Sequence, residues 1–576
     1  MLTRRNPHTA RRRRRADQPA APALLGLALL WCLLSPAAGQ PAAGAAAADA
    51  APDPEPPSAE AVSDAAPDTL TSLPAPVAAL LPELTLDASQ IGAYVRAVDS
   101  DAPRLAVNAE VPRIPASTIK LVTSIAALDL LGPGYQWRTE ALIDGEVIAG
   151  TLEGDLAIKG YGDPFLSTEA YAGLIRSLRQ KGIRHIAGDL IFDNSHLVAP
   201  TASRGDFDGA AQRSYNALPA ALSLNRQVTY VHLYNDRERG GVGVYTEPPL
   251  SHLDIVNNAT IVKAPCQGRY HRLSVGFSEP AAAPPSPAPA EMAAAPGAGD
   301  VGPAEPAPAL GTPDNATPEA DATAATVPGT PKLTITGTFA SECPDERIPR
   351  LILSPERHAA AAFDALWREA GGTIDGRVLA ATTPSGAEVF HVVYSQPLHE
   401  VLRPVNKWSD NLVARMVFLA LGSEHAGPPG DNDKSRAALD LWLDERGFGF
   451  PELLIDNGSG LSRDTRIAAA SMGELLAWSW HQPWMPELIA SMAILGVDGT
   501  LAKRMRKEPI EGRAHLKTGT VRDASCIAGY VLDKHGRRWV VVALVNARPG
   551  QTLQAWHGHA VHHVLLRWVF EGAAAP

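Results

Sequence analysis

Two long stretches of this 576-residue chain lack the side chains to build a core, and they limit where the folded parts can lie. Residues 40–78 and 280–331 are dominated by Ala and Pro with scattered acids. The second contains no aromatic residue and almost no branched aliphatics. With so little apolar surface to bury, nothing offsets the entropy of ordering such a segment. The first is expected to be a disordered linker and the second a disordered loop inside a folded module. The rest is rich enough to fold, since the whole chain is 45% hydrophobic and 20% charged. No unit repeats in the manner of a solenoid.

Charge and cysteine use bound the setting. The formal net charge is −11, and residues 1–39 hold seven Arg against Asp17, so the chain beyond them sits near −17. So acidic a balance argues against nucleic acid as a partner, because phosphate binding needs clustered Lys and Arg. The run RRRRR at 11–15 reads instead as the charged leader of a signal peptide over 1–39. It precedes a short apolar core (21–35) and the small residues SPAAGQ (35–40), with cleavage after Gly39. That core is shorter than the ~18 residues of a membrane span. Membrane contact is expected to be peripheral at most, through an uncleaved leader. Cys32 leaves with the leader. Cys266 and Cys343 flank the low-complexity loop and read as a disulfide in an exported protein. Cys526 lies in an apolar strand and reads as a buried small hydrophobe.

Three short motifs carry chemistry. Ser117 and Lys120 stand three apart after Pro115, at the head of a buried helix expected over 116–131 and stopped by GPG at 132–134. Ser409, Asp410 and Asn411 head an apolar helix at 411–422. Lys517, Thr518 and Gly519 lie on the strand that opens a hairpin, whose arms 525–533 and 538–547 flank the turn KHGR. A serine hydroxyl is a weak nucleophile and needs a base. Positions i and i+3 share a helix face, so Lys120 can reach Ser117. A lysine with an ordinary pKa of ~10.4 must first lose its proton. Burial and a second cation, Lys517, both favour that loss. Ser409 is placed to pass a proton to a leaving amine, and Asn411 to hold a substrate amide. Lys517 and Thr518 can grip a terminal carboxylate, and Gly519 can let a substrate backbone approach a strand edge. The backbone N–H groups of Ser117 and Thr520 would form an oxyanion hole. This chemistry calls for no cofactor and no metal. His559 and His563, four apart, suit a metal, but no Glu lies between them. Val561, Val564, Leu565 and Trp568 give that helix an apolar face, so it reads as an ordinary packed helix.

Elsewhere, strand-like pieces alternate with a helix from 144 to about 250, short strands dominate to about 345, and an amphipathic helix follows residue 352. Helices at both ends with a strand hairpin point to an α/β core interrupted by a large insertion.

The three triplets in this order form the signature of the active-site serine penicilloyl-transferases. With GDPFL (162–166), YNALPAALSLN (215–225), DNGSGLSR (456–463), GVDGTL (496–501) and AHLKTGT (514–520), the sequence resembles the D-alanyl-D-alanine carboxypeptidase/endopeptidase family, the class C low-molecular-mass penicillin-binding proteins. The resemblance spans about 80–570 apart from the loop. It implies a penicillin-binding transpeptidase-like (β-lactamase-like) α/β core over 79–143 and 347–576, with smaller domains inserted at 144–250 and 251–346. It also implies peptidoglycan peptides as substrate, β-lactam antibiotics as covalent inhibitors and a periplasmic setting. Trimming of a terminal D-Ala and cutting of cross-links are both family expectations. Ser117 and Ser409 are 292 residues apart, far more than in a class A β-lactamase, and no counterpart of the glutamate that drives its deacylation is evident. Trp408 and the segment MAILGVDGT depart from the family pattern without removing a reacting group. Asp163 and Arg463, if both face the cleft, could read the two ends of a meso-diaminopimelate side chain. Otherwise Asp163 caps a turn before Pro164 and Arg463 makes a surface pair. Two further readings stay open: a β-lactamase or esterase using the same groups, and a wall-binding scaffold that binds β-lactams and turns over slowly.

Overall fold

The computed structural model describes residues 69–206, 209–278 and 330–573. The leader, most of the 40–78 linker and nearly all of the 280–331 loop lie outside the described residues. The expected hairpin forms strands Ala524–Leu532 and Arg538–Asn546. Val540 through Val545 are all fully buried. Such an unbroken apolar run requires cover on both faces of its sheet. The hairpin is central in a six-stranded antiparallel sheet, in the order Ala493–Ile494, Ala514–Val521, Ala524–Leu532, Arg538–Asn546, Ile91–Ala97 and Leu105–Val107.

Alternate residues of these strands enter two separate cores. Tyr94, Ala528, Tyr530, Val540 and Val542 face the helices Lys120–Leu130, Asn411–Ala426 and Ala469–Ser479. Val95, Ile527, Val541, Ala543 and Val545 face the C-terminal helix Ala555–Phe570.

The short helix Ala75–Leu80 completes that second layer, which corrects the expectation that 40–78 is linker throughout. Leu70 accepts a hydrogen bond from Ala106 N at 2.9 Å, and Leu73 and Val77 are buried in the second core. Leu70, Leu73 and Val77 (i, i+3, i+7) are apolar positions that the surrounding Ala and Pro conceal.

Two further bodies interrupt this core. One is a seven-stranded sheet built from Arg138–Ile148, Thr151–Gly160, His185–Ile186, Leu190–Asp193, Thr373–Ile374, Val378–Ala380 and Glu388–Tyr394. Helices Thr168–Gln180 and Pro355–Glu369 pack on it, burying Tyr171, Phe192, Phe363 and Trp367 together. The other body has two three-stranded sheets over residues 229–350 with a shared core. The Cys266–Cys343 disulfide tethers its chain.

The observed pairing differs from the expected domain boundaries. A break at 143/144 would cut the strand Arg138–Ile148, and one at 346/347 would cut Glu346–Arg350. The strands Thr229–Asp236 and Gly241–Glu247 belong with the second body, and residues 355–394 with the first. Strand pairing between residues as far apart as Arg138 and Tyr394 leaves no mark on local composition, so it could not be read from the sequence.

Candidate active site

The turn that carries Ser117 is built on strain and buried lysines. Ala116 has φ +47°, a conformation that costs a non-glycine residue roughly 1–3 kcal/mol. It sets Ser117 at the start of a 3₁₀ turn, Ala116–Ile119, which runs into the helix Lys120–Leu130. Lys120 Nζ lies 3.0 Å from Ser117 Oγ and donates to Asn411 Oδ1 at 2.8 Å and to the Ser459 carbonyl. Lys120 is fully buried. Burial first, then the Lys517 charge, hold its pKa well below that of a free lysine; Arg415 adds to the depression and Asp410 opposes it.

A second serine–lysine couple faces the first. Ser409 has φ +62°, and its Oγ accepts from Lys517 Nζ at 2.9 Å. Lys517 also donates to the Thr518 carbonyl at 2.7 Å. Burial pushes the Lys517 pKa down to about 7. Asp410 caps the following helix, accepting from Val413 N at 3.1 Å, which explains why the helix begins at Asn411. A cavity of about 270 Å³ opens at the triplet, lined also by Tyr215, Arg226, Tyr230 and Trp408. A larger one, about 530 Å³, lies between Trp137, Tyr161, His196 and Glu424. Its Tyr135 and Tyr161 hydroxyls are engaged by Glu424 and Glu140.

The strand Ala514–Val521 leaves one edge open where it passes the serines. The two-residue strand Ala493–Ile494 covers it only as far as Leu516, and Ala514 O accepts from Leu495 N across that edge. Backbone groups alternate along an antiparallel strand, so the N–H and C=O of Thr518 and Thr520 point out of the same edge, now uncovered. Gly519 lies against the turn that carries Ser117. A Cβ there would stand 2.7 Å from Pro115 O, 2.8 Å from Ser117 N and 3.0 Å from Thr118 N. Beside the expected role of Gly519, admitting a substrate backbone, stands a closer one: it lets the strand approach the Ser117 turn itself.

Three contributors had no role assigned from the sequence. The Ser459 carbonyl receives Lys120, and Gly460 beside it (φ +73°) would place a Cβ 2.0 Å from Ala116 O. Thr500 Oγ1 lies 2.8 Å from Thr518 Oγ1. Arg226 reaches Asp410 at 2.9 Å. Ser459 and Thr500 fall in the segments GSGLS and GVDGT, where paired glycines were the available signal; Arg226 follows SLN, which holds no glycine and offered none.

Asp163 is buried, and its Oδ1 accepts from Phe165 N at 2.7 Å, capping the turn at Pro164. Burial pushes its pKa up to about 7. Arg463 is exposed and makes no ion pair among the described residues. Cys526 is buried, its thiol pushed up to about 12, consistent with a packing role. His563 Nε2 is occupied by Arg504 Nε at 3.0 Å.

Comparison with known proteins places this geometry. The crystal structure of penicillin binding protein 4 from Haemophilus influenzae matches 86% of this chain and 99% of its own, with a TM-score of 0.63 at 21% identity. A second structure of that protein, complexed with a β-lactam, matches with a TM-score of 0.59 at 20% identity, over 85% of this chain and 99% of that one. The fold is thus the penicillin-binding, β-lactamase-like α/β fold. The model of the D-Ala-D-Ala carboxypeptidase 3 (S13) family matches residues 73–279 and 302–561, and the chain belongs to that family. It is similar to the D-alanyl-D-alanine carboxypeptidase DacB of Haemophilus influenzae, 21% identical over 80% of this chain and 86% of that protein. It is also similar to the D-alanyl-D-alanine carboxypeptidase of an Actinomadura species, 26% identical over 84% of this chain and 83% of that one.

Proposed function

We propose that the chain is a serine-type D-Ala-D-Ala carboxypeptidase that also acts as a DD-endopeptidase on peptidoglycan peptides, and that β-lactams acylate it at Ser117. The observation that carries this reading is the convergence of two serine–lysine couples, Ser117–Lys120 and Ser409–Lys517, on one open strand edge. Lys120, held neutral by burial and by Lys517, takes the Ser117 proton as Oγ attacks the carbonyl carbon of the penultimate D-Ala. The oxyanion receives the N–H groups of Ser117 and Thr520. Ser409 gives its proton to the departing amine, and the proton that Lys120 took from Ser117 replaces it, so that Lys120 is neutral again and Lys517 stays charged before deacylation. Lys517, Thr518 and Thr500 hold the terminal carboxylate, whose charge favours a protonated Lys517. Water then releases the acyl group, with Lys120 again as base. Among the described residues no helix is long and apolar enough to cross a membrane. The disulfide fits an oxidising compartment and supports a periplasmic setting.

Asp163 and Arg463 are the proposed readers of a zwitterionic side chain on the substrate. Among the described residues the second oxygen of Asp163 makes no hydrogen bond and no cation pairs with it, and such a buried carboxyl is a natural seat for a ligand ammonium. The test is mass spectrometry of protein incubated with diaminopimelate-containing muropeptides. Loss of one D-Ala and conversion of dimers to monomers are expected. Stable penicillin acylation without any muropeptide turnover would replace the enzyme by a binding scaffold. Asp163→Ala and Arg463→Ala should each lower kcat/KM for diaminopimelate peptides more than for acetyl-lysine analogues; equal losses would make both residues structural.

A further inference from the structure

Asn225, Arg226 and Gln227 form a left-handed turn, with φ of 48°, 56° and 62°. None is glycine, and the left-handed region crowds the Cβ of each against its own carbonyl. Single residues of this kind are common, but three in succession need strong local support. Asn225 N donates to Leu166 O at 2.7 Å and its Nδ2 to Val228 O at 2.9 Å. Gln227 is fully buried, donates to Leu218 O at 2.6 Å and accepts from Arg204 at 3.2 Å. The turn is thus anchored in the inserted part of the chain. What it delivers to the core is the Arg226 guanidinium, 2.9 Å from Asp410 Oδ2 and 5.8 Å from the Phe165 ring centre.

Asp410 stands between the two residues that meet the lysines. Ser409 Oγ faces Lys517, Asn411 Oδ1 faces Lys120, and Asp410 Oδ1 caps the helix below them. Its remaining oxygen takes Arg226. The inserted part touches the triplet once more, where Asn411 Nδ2 meets Tyr215 O at 3.5 Å. Among the described residues Asp410 is also the acid that acts on Lys120, against the cations Lys517 and Arg415; the Ser459 carbonyl, Asn411 Oδ1 and Ser117 Oγ lie within hydrogen-bond reach of its Nζ.

We propose that Arg226 is a positioning residue for the acyl transfer: it fixes the Ser409–Asp410–Asn411 turn and neutralises Asp410, so that Lys120 is free to act as a base. The inference rests on the reading of Ser117 and Lys120 given above. The strained turn is the means by which the inserted domain reaches the reacting groups.

The test measures the second-order rate of penicillin acylation of the full chain, by intact mass, from pH 5 to 10. Wild-type acylation at Ser117 secures the underlying reading, and its absence would sink that reading rather than this one. In Arg226→Ala the exposed Asp410 charge should hold the Lys120 proton more tightly. The acid limb should then move to higher pH, with a rate loss of tenfold or more near pH 6 and a smaller loss near pH 9. Arg226→Lys should restore the limb, and Asp410→Asn in the Arg226→Ala background should return it to or below its wild-type position. If Arg226→Ala does not fold, Arg226→Met and Asp410→Asn alone decide, with limb shifts of opposite sign expected. An equal loss at every pH, or a limb that none of these variants moves, overturns the proposal.

Discussion

Gly519→Ala should disable acylation while leaving the protein folded. Gly519 is not in the left-handed region, so the demand for glycine there is steric rather than conformational. The added carbon would sit 2.7 Å from Pro115 O and 2.8 Å from Ser117 N, both backbone atoms that cannot swing aside. Ordinary Cβ contacts begin near 3.4 Å, so the strand Ala514–Val521 and the serine turn must part by about 0.7 Å. The new methyl also stands beside the Ser117 N–H, one of the two proposed oxyanion donors. Losing one such donor costs about 10²–10³ in rate, and a displacement near 1 Å can itself cost about 10². A fall of at least about 100-fold in the penicillin acylation rate is expected. Fluorescent-penicillin labelling over time measures it, with thermal unfolding of the same sample as the control for folding. A folded Gly519→Ala protein that acylates within threefold of wild type would refute the argument. It would mean that the strand and the turn separate without loss of the oxyanion site.

Lys517→Met should stabilise the protein at neutral pH while removing activity. The Lys517 pKa falls from 10.5 to about 7 on folding, and at about 1.4 kcal/mol per pH unit this opposes folding by roughly 5 kcal/mol. Between these values the unfolded chain binds more protons, so wild-type stability should rise as pH goes from 7 towards 10, and the penalty is complete below 7. Urea denaturation across that range should give a flatter profile for the variant. Lys120→Arg keeps the charge but cannot release its proton, so intact mass should show no penicillin adduct within times that saturate wild type. Cys266→Ala with Cys343→Ala should lower the stability of the 229–350 module by up to ~4–5 kcal/mol, the loop-closure value for 77 residues, as read by denaturation. Acylation at Ser117 should persist in that variant, because the disulfide joins two connections between strands outside the six-stranded sheet.

The sequence alone pointed to the proposed reacting groups and determined the local structure that carries them. Ser117, Lys120, Ser409, Asn411 and Lys517 were legible because each motif combines a functional residue with a local signal: a helix start, a cap, or the first strand of a hairpin. The arms 525–533 and 538–547 were likewise legible as a hairpin, from their apolar runs and the turn KHGR between them. Tertiary structure alone decided the rest. The sheet partners of 138–148 and 388–394 lie about 250 residues apart, and hydrophobic pattern specifies a face of a strand but not its neighbour. The linker boundary moved for a related reason, since Leu70, Leu73 and Val77 become core only when the C-terminal helix and the Leu105–Val107 strand are present to cover them. Lysine pKa values, the steric demand at Gly519 and the link from Arg226 to Asp410 depend on which groups are brought within a few ångströms in a dry interior. Burial and Coulomb interactions act through space, and the distances that set them exist only once the chain has folded.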